Sequence, residues 1–470
     1  PSTVFRIGTD GMTAPLPSAS QTLAQPFFPG VGGAAVAGDT SVLDPGYRPQ
    51  RTDNITLGIQ RQLTSKTILE VGMMSRLIHN ETMQTNLDAV PYLTTLNNQS
   101  FAQAYSALFQ AMVFNGAAPG TVATQPFFEA ALGGPSSASC KAYSSCTAYV
   151  ASAFTSLIKN AQVSDLWGSL NKASSWGLGR TMISGSPAQA SSITMVNSLG
   201  YGNYNALYVT WRARDFHNAT IISNFTWGRS LGTATLAQYN SSYTMQDPWN
   251  IDANYGANSF DYKFLYNLAI SYATPWFKGQ KGILGRTLGG WMIAPLFYAQ
   301  SGAPIGVSYT TGSGSYYQSF GQSSTTSITS NAEGAVPITP YTGGATLHGA
   351  VAGSGGVGTN NTTGFNLFAD PAAVYSGFRR CVLGYDTSCG GYGNLRGLPT
   401  WNLGATVAKE FAIWGERIGG TLSFQFTNIL NHFQASNPSS LSLSSPSTFG
   451  RITGQANTPR NLEFGLRIHF

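Results

Sequence analysis

Three stretches of this chain have the residue types and spacing of known chemistry. Gly228–Arg229–Ser230–Leu231–Gly232 has the Gly-x-Ser-x-Gly spacing of a nucleophile elbow, which presents a serine on a strained turn between a strand and a helix. An alternating stretch precedes it, but a polar Gly/Thr/Asn/Ser run follows, and local context marks none of the five His as a base. The preferred reading is the end of a strand. Gly353, Gly355 and Gly358 match the dinucleotide fingerprint, yet Thr359–Asn360–Asn361 opens no helix and no βαβ unit surrounds them. Asp247, Asp252 and Asp261, with Asn250 and Asn254, offer the oxygen donors that Ca²⁺ takes, in a spacing that fits no known calcium loop. The sequence therefore predicts no enzyme, no metal site and no cofactor.

The cysteines suggest a compartment. Five residues separate Cys140 from Cys146, and seven separate Cys381 from Cys389. Zinc sites favour roughly two to four intervening residues, with a second pair or a His pair nearby. Local, even pairs in Gly/Ser-rich surroundings favour loop disulfides formed in an oxidising compartment over four free thiols.

The elements that would position these residues are strands. In Leu462 to Phe470, the residues Leu462, Phe464, Leu466, Ile468 and Phe470 alternate with Glu463, Gly465, Arg467 and His469. A tilted strand of about 9–11 residues crosses a bilayer. Similar alternation predicts strands over 54–63, the stretch around 68–73, 205–214, 219–227, 261–274, 290–302, 399–411 and 419–430, which makes nine. Their connections alternate in length. Short ones lie at 64–66, 215–218, about 275–289 and 412–418; long ones at about 77–203, 229–259, 303–398 and 431–460. Short turns on one side and long loops on the other mark an antiparallel transmembrane β-barrel with extracellular loops and periplasmic turns. Residues 1–50 read as an extracellular loop segment and 51–470 as barrel. Nine is an odd count that leaves open edges, which lipid does not tolerate. Pro1, without an initiator Met or leader, reads as the start of a mature or truncated product. Bacterial single-chain barrels have even counts and start from the periplasm, whereas these strands start on the long-loop side. They are therefore expected to be the C-terminal part of a larger barrel. The rest would lie in another chain, another copy or a lost N-terminal segment. Residues 303–365 are Gly/Ser/Thr-rich and read as a loop with little core. Phe101 to Phe114 and Tyr149 to Asn160 have helical spacing inside the first long loop.

Composition agrees with this class. Only 9% of residues are charged, against roughly 25% in a soluble domain, while mean hydropathy is −0.05. A net charge of +6 spread over 470 residues argues against a nucleic-acid partner. No run is long and apolar enough for a bundle of transmembrane helices. Aromatics cluster near strand ends, and Trp227, Tyr272, Trp276, Trp291, Trp401 and Trp414 are expected in interfacial girdles facing outer-membrane lipid. Arg212, Lys263, Glu463 and Arg467 fall on polar faces and are expected to point into the lumen.

Several segments together resemble the C-terminal region of the Oar-like TonB-dependent outer-membrane receptors. These receptors carry a carboxypeptidase-regulatory-like domain and are expanded in Acidobacteria. The segments are RTDNITLGIQRQLTSKTILEVG (51–72), YNALYVTWRAR (204–214), FTWGRSL (225–231), LGGWMIAPLFYAQSGAP (288–304), FQFTNILNHF (424–433), and FGRIT followed by TPRNLEFGLRIHF near the end. The resemblance covers about residues 50–470. It implies a barrel of about 22 strands, of which these nine would be the last. It also implies active uptake of a bulky ligand across the outer membrane, powered by TonB–ExbB–ExbD through a plug and TonB box outside this sequence. Leu466, Ile468 and Phe470 would then be the signal that the barrel-assembly machinery reads. Two other functions fit the residues: a structural or interaction barrel whose long loops bind a partner, and a passive porin.

Overall fold

The computed structural model describes residues 40–470 except 87–88, 179–192, 234–242, 310–319, 322–332, 350–353, 359–363, 387–388, 390–392 and 415–417. Nine long strands run in chain order: β1 (Arg51–Thr64), β2 (Thr67–Asn86), β3 (Ile193–Phe216), β4 (Ala219–Gly232), β5 (Phe264–Ala273), β6 (Trp291–Gln300), β7 (Thr400–Trp414), β8 (Ile418–Thr427) and β9 (Asn461–His469). Each pairs antiparallel with the next, so the nine form one meander that is open at β1 and β9. Three short strands flank the meander at its long-loop end. All nine expected strands are present. β2 and β3 run further than their alternation suggested, pairing through Asn86 and Thr194, so the loop limits expected at 77 and 203 fall inside strands. Beyond a bilayer's thickness a strand pair no longer needs one apolar face, and the sequence signal fades while the pairing continues.

Register carries two faces across the sheet. On one face, cross-strand pairing links Ile59, Val71, Val209, Phe225, Tyr266, Ala299 and Trp401 from β1 to β7. Ile293, Val407, Phe424 and Phe464 continue that face to β9. A side-chain period of two puts every alternate residue on the opposite face. Turn chemistry fixes the register. His217 and Asn218 both have positive φ, 51° and 62°, in the two-residue turn joining β3 to β4, as the hairpin twist requires. Glycines on the second face admit aromatic rings. A Cβ on Gly72 would lie 2.5 Å from the ring of Tyr208, which reaches on toward Gly58.

The long loops fold on one another. Residues 89–178 contain α1 (Phe101–Phe109), α2 (Pro126–Ala131), α3 (Cys146–Ala153), α4 (Thr155–Lys159) and α5 (Val163–Leu170). Ser100 starts α1 with a reciprocal capping box to Gln103. The apolar faces of these helices meet in a core around Phe101, whose ring stands edge-on to Trp167 at 4.8 Å and to Phe127 at 5.5 Å. The third loop completes this core with Phe320, Val382 and Leu383. The disulfides Cys140–Cys146 and Cys381–Cys389 are both formed, with Cα separations of 4.8 and 5.3 Å, and both are buried in the same core. A second core joins the third loop to the fourth through Val307, Leu367, Phe368, Leu441 and Phe449. The expectation that residues 303–365 have little core is therefore corrected: Val307, Phe320 and Ala335 are buried in these two clusters. Isolated apolar residues in a Gly/Ser/Thr-rich stretch give no periodicity, so their burial is a purely tertiary event.

Because the first core stands apart from the sheet, its loss should not unmake the strands. Phe101→Ala removes a fully buried ring and is expected to cost the loop assembly about 3–5 kcal/mol. Near-ultraviolet circular dichroism should show an earlier loop transition, while the sheet keeps its heat-modifiable migration on gels.

Candidate functional site

The candidate site has two parts, the polar face of the sheet and the loop assembly above one end of it. On the polar face, register aligns Gln60, Glu70, Thr210, Asn224, Asn267, Tyr298 and Asn402, a polar residue on every strand from β1 to β7. Thr406, Gln425 and Glu463 carry the polar face from β7 to β9. Neighbouring strands supply hydrogen-bond partners. The Thr210 hydroxyl donates to Asn224 Oδ1 at 3.0 Å, and the Tyr208 hydroxyl donates to Glu70 Oε1 at 3.3 Å. Such a surface, wet and weakly charged, can pass or hold a polar solute without a deep electrostatic trap.

At the long-loop end, buried polar contacts lock the loops together. Asp247 of the second loop accepts the Tyr92 hydroxyl from the first loop at 2.6 and 2.7 Å, and Trp249 Nε1 donates to the Val90 carbonyl at 3.1 Å. Arg396 of the third loop pairs with Asp261, which is 1% exposed and also accepts from the Ser230 amide at 2.6 Å. Arg379 and Asp386 form a bidentate pair, and the guanidinium lies over the rings of Phe114 and Tyr385. Arg380 lies over Tyr309 and donates to the Asn160 carbonyl at 2.5 Å; burial lowers it to about 10, so it stays charged at neutral pH.

The residues singled out in the sequence fall as follows. Arg212 stands on the polar face, paired with Ile68 and Ile222, with its guanidinium 3.9 Å from the Glu70 carboxylate. Glu463 and Arg467 share that face opposite Gln425 and Thr421. Lys263 precedes β5 at the rim, with its ammonium 5.3 Å over the Phe264 ring. Trp227 pairs with Leu207 and Phe264 near the long-loop end, and Trp401 stacks on His432 at 4.1 Å at that end. Tyr272, Trp276 and Trp291 lie at the short-turn end, where Trp414 ends β7. Leu466 and Ile468 are exposed on the apolar face, and Phe470 follows β9 fully exposed.

The apparent catalytic motifs do not assemble. Ser230 continues β4 without an elbow, and its hydroxyl accepts from Asn258 Nδ2 at 2.8 Å. Asp247, Asp252 and Asp261 each face a separate partner, namely Tyr92, Tyr201 and Arg396. No metal-binding cluster occurs among the described residues. Gly353 lies outside the described residues. Sequence reasoning missed the Asp261–Arg396 and Tyr92–Asp247 pairs because their partners stand 135 and 155 residues apart, so no local signal marks them.

Burial raises Asp247 to about 6, against the hydrogen bonds from Tyr92 and Trp249 that favour its charged form; the same burial and the adjacent carboxylate push Tyr92 upward. The folded loops thus hold a proton that the unfolded loops release near the ordinary carboxylate value of 3.8. Loop stability should fall as pH rises through the window from about 4 to about 6, and level off above it. Hydrogen exchange across residues 89–92 should follow this slope, and Asp247→Asn should abolish it.

No curated protein matches the chain. Among solved structures, the outer membrane transporter YddB from Escherichia coli aligns at a TM-score of 0.40 and 8% identity, over 92% of this chain and 34% of that one. The ferric citrate transporter FecA, in its unliganded form, aligns at a TM-score of 0.31 and 10% identity, over 90% of this chain and 31% of that one. The chain spans about a third of the length of either. A family model for an outer membrane beta barrel domain matches residues 5–463, almost the whole of this nine-stranded meander and its loops. The chain belongs to the outer membrane beta barrel domain family and resides in the outer membrane.

Proposed function

We propose that this chain forms part of the barrel wall of an Oar-like TonB-dependent receptor, which imports a bulky ligand across the outer membrane without altering it chemically. The supporting observation is the unbroken polar row from Gln60 to Asn402, backed on the opposite face by an unbroken apolar one. A wall that is wet on one side and lipid-facing on the other encloses a polar passage once further strands pair with its free edges. Energy would come from TonB–ExbB–ExbD at the inner membrane, through a plug supplied by the rest of the receptor. The loop assembly would receive the ligand at the outer mouth. Leu466, Ile468 and Phe470 would present the assembly signal. A second reading, a barrel whose loops serve as an adhesive or structural surface, draws on the cored and disulfide-linked loops.

Planar-bilayer recordings on the full-length gene product separate these readings from a passive porin. The import reading expects a membrane that stays closed, together with binding of the purified periplasmic domain of TonB. Steady conductance without TonB would make the protein a porin. A closed barrel with no affinity for the TonB domain would leave the adhesive reading. Deleting Phe470 should lower the heat-modifiable, membrane-inserted fraction several-fold with little change in synthesis.

A further inference from the structure

On the short-turn side, two residues suffice to join β1 to β2 and β3 to β4, but residues 274–290 join β5 to β6. This longer connection contains α6 (Gly282–Leu288) and exposes a dense apolar group: Trp276, Phe277, Ile283, Leu284 and Leu288. Ile283 is 84% exposed and Leu284 is 66% exposed. At 100° per residue, Ile283, Leu284, Thr287 and Leu288 share one arc of the helix, with Arg286 and Gly282 opposite. Thr287 does not break that arc. Its hydroxyl turns back to the carbonyls of Ile283 and Leu284, at 2.9 and 3.2 Å.

The C-terminal end of α6 is fastened to the barrel wall. Lys409 of β7 reaches the carbonyls of Thr287 and Gly289 at the end of the helix, and its ammonium lies 4.9 Å over the Trp291 ring. Trp291 Nε1 donates to the Thr287 carbonyl at 2.8 Å, and Gln280 Nε2 donates to the Glu410 carbonyl at 2.9 Å. Gly285 and Gly289 are buried against the segment that leads into the helix, where a Cβ would meet the backbone of Gln280 or Phe277. The helix is therefore held rigidly with its greasy arc facing away from the protein. Residues 274–290 carry Lys278, Lys281 and Arg286 and no Asp or Glu.

We infer that α6 and its flanks form a lipid foot, which inserts its apolar arc into the phospholipid leaflet at the short-turn end and places its cations on the headgroup phosphates. The arc continues the lipid-facing band through Trp291, whose register partner Lys409 leads to Leu422 and Leu466. An apolar cluster of this density left in water would be an association liability, whereas the interfacial zone accepts amphipathic helices with basic flanks. The foot would fix the depth and tilt of the wall at β5–β6. This inference requires only that the sheet spans the membrane, and it stands whether or not the protein imports a ligand.

The test uses the full-length protein in phosphatidylcholine vesicles with and without phosphatidylglycerol. A polarity-sensitive fluorophore on Leu284→Cys, or on Ile283→Cys should the first variant fail to insert, is compared with one on Ser65→Cys in the short β1–β2 turn. The native cysteines are paired and should not take label. A lipid-borne quencher should dim the α6 probe at least about threefold more than the Ser65 probe, as an interfacial helix requires. Phosphatidylglycerol should deepen the effect, and a Lys278→Gln/Lys281→Gln/Arg286→Gln variant should lose that added part. Equal quenching at the two sites would overturn the proposal. So would shielding that depends on protein concentration but not on lipid, which would assign the arc to a second copy of the chain.

Discussion

Hydrocarbon offers no hydrogen-bond partners, so within a bilayer every backbone amide and carbonyl must find its mate in the protein. The rest of this structure depends on that constraint. It holds nine strands in consecutive antiparallel pairing, because a skipped or slipped strand would strand a row of polar groups in lipid. Fixed pairing in turn fixes the faces. Once Ile59 stands opposite Val71, every partner out to Trp401 is committed to the lipid side, and Gln60 through Asn402 to the polar side. The glycines on the polar face follow from the same rigidity. With the strands locked, a ring such as Tyr208 finds room only where the neighbour has no Cβ.

Outside the bilayer the constraint lapses, and the chain returns to the rules of soluble proteins. The long loops bury Phe101, Trp167, Phe368 and Phe449 in cores, cap their helices and close two disulfides. Charges that are sparse along the chain are spent here in pairs. Asp261 with Arg396 joins segments that the topology alone would leave independent, while Asp386 with Arg379 braces a short stretch within the third loop. Buried ion pairs are a poor source of net stability, but breaking one leaves an uncompensated charge. Such pairs suit a role in fixing how one loop sits on another. The loop assembly is thus a folded body whose polar contacts select one arrangement.

The strands were legible because lipid on one side and water on the other impose a strict period of two, and nothing else in the sequence mimics it over so many segments. Two helical stretches in the first loop were legible as well, since the apolar residues of α1 recur at helical spacing. The loop cores were not. Val307 and Phe320 stand alone among polar and small residues, and only partners in other loops bury them. The limits of β2 and β3 were also hidden, because beyond the bilayer the two faces no longer differ in polarity. Asp247, Asp252 and Asp261 had offered oxygen donors in a spacing that fits no calcium loop, and no metal site was expected of them. The fold gives each carboxylate its own long-range partner. The α6 segment shows no alternation at all, so its exposed apolar arc appears only once the helix is built.

The free edges of the sheet are themselves informative. Soluble proteins blunt an edge strand with proline, inward charge, a bulge or a short length. β1 is a 14-residue strand without proline, and its pairing to β2 is regular until Gln62. It carries the apolar side chains Ile55, Leu57, Ile59 and Leu63 on its lipid face, with Arg61 between the last two and Arg51 and Asp53 at the start of the strand. β9 does the same with Leu462, Phe464, Leu466 and Ile468. Both edges keep the face pattern of the interior strands, with inward charge at Glu463 and Arg467 on β9 and a register shift after Gln62 on β1. In lipid, an unpaired edge of this length would leave a ladder of desolvated amides and carbonyls, each costing on the order of several kcal/mol. Among the described residues, consecutive antiparallel pairing satisfies the seven inner strands on both sides and leaves the outer rows of β1 and β9 as the ones that bear this cost.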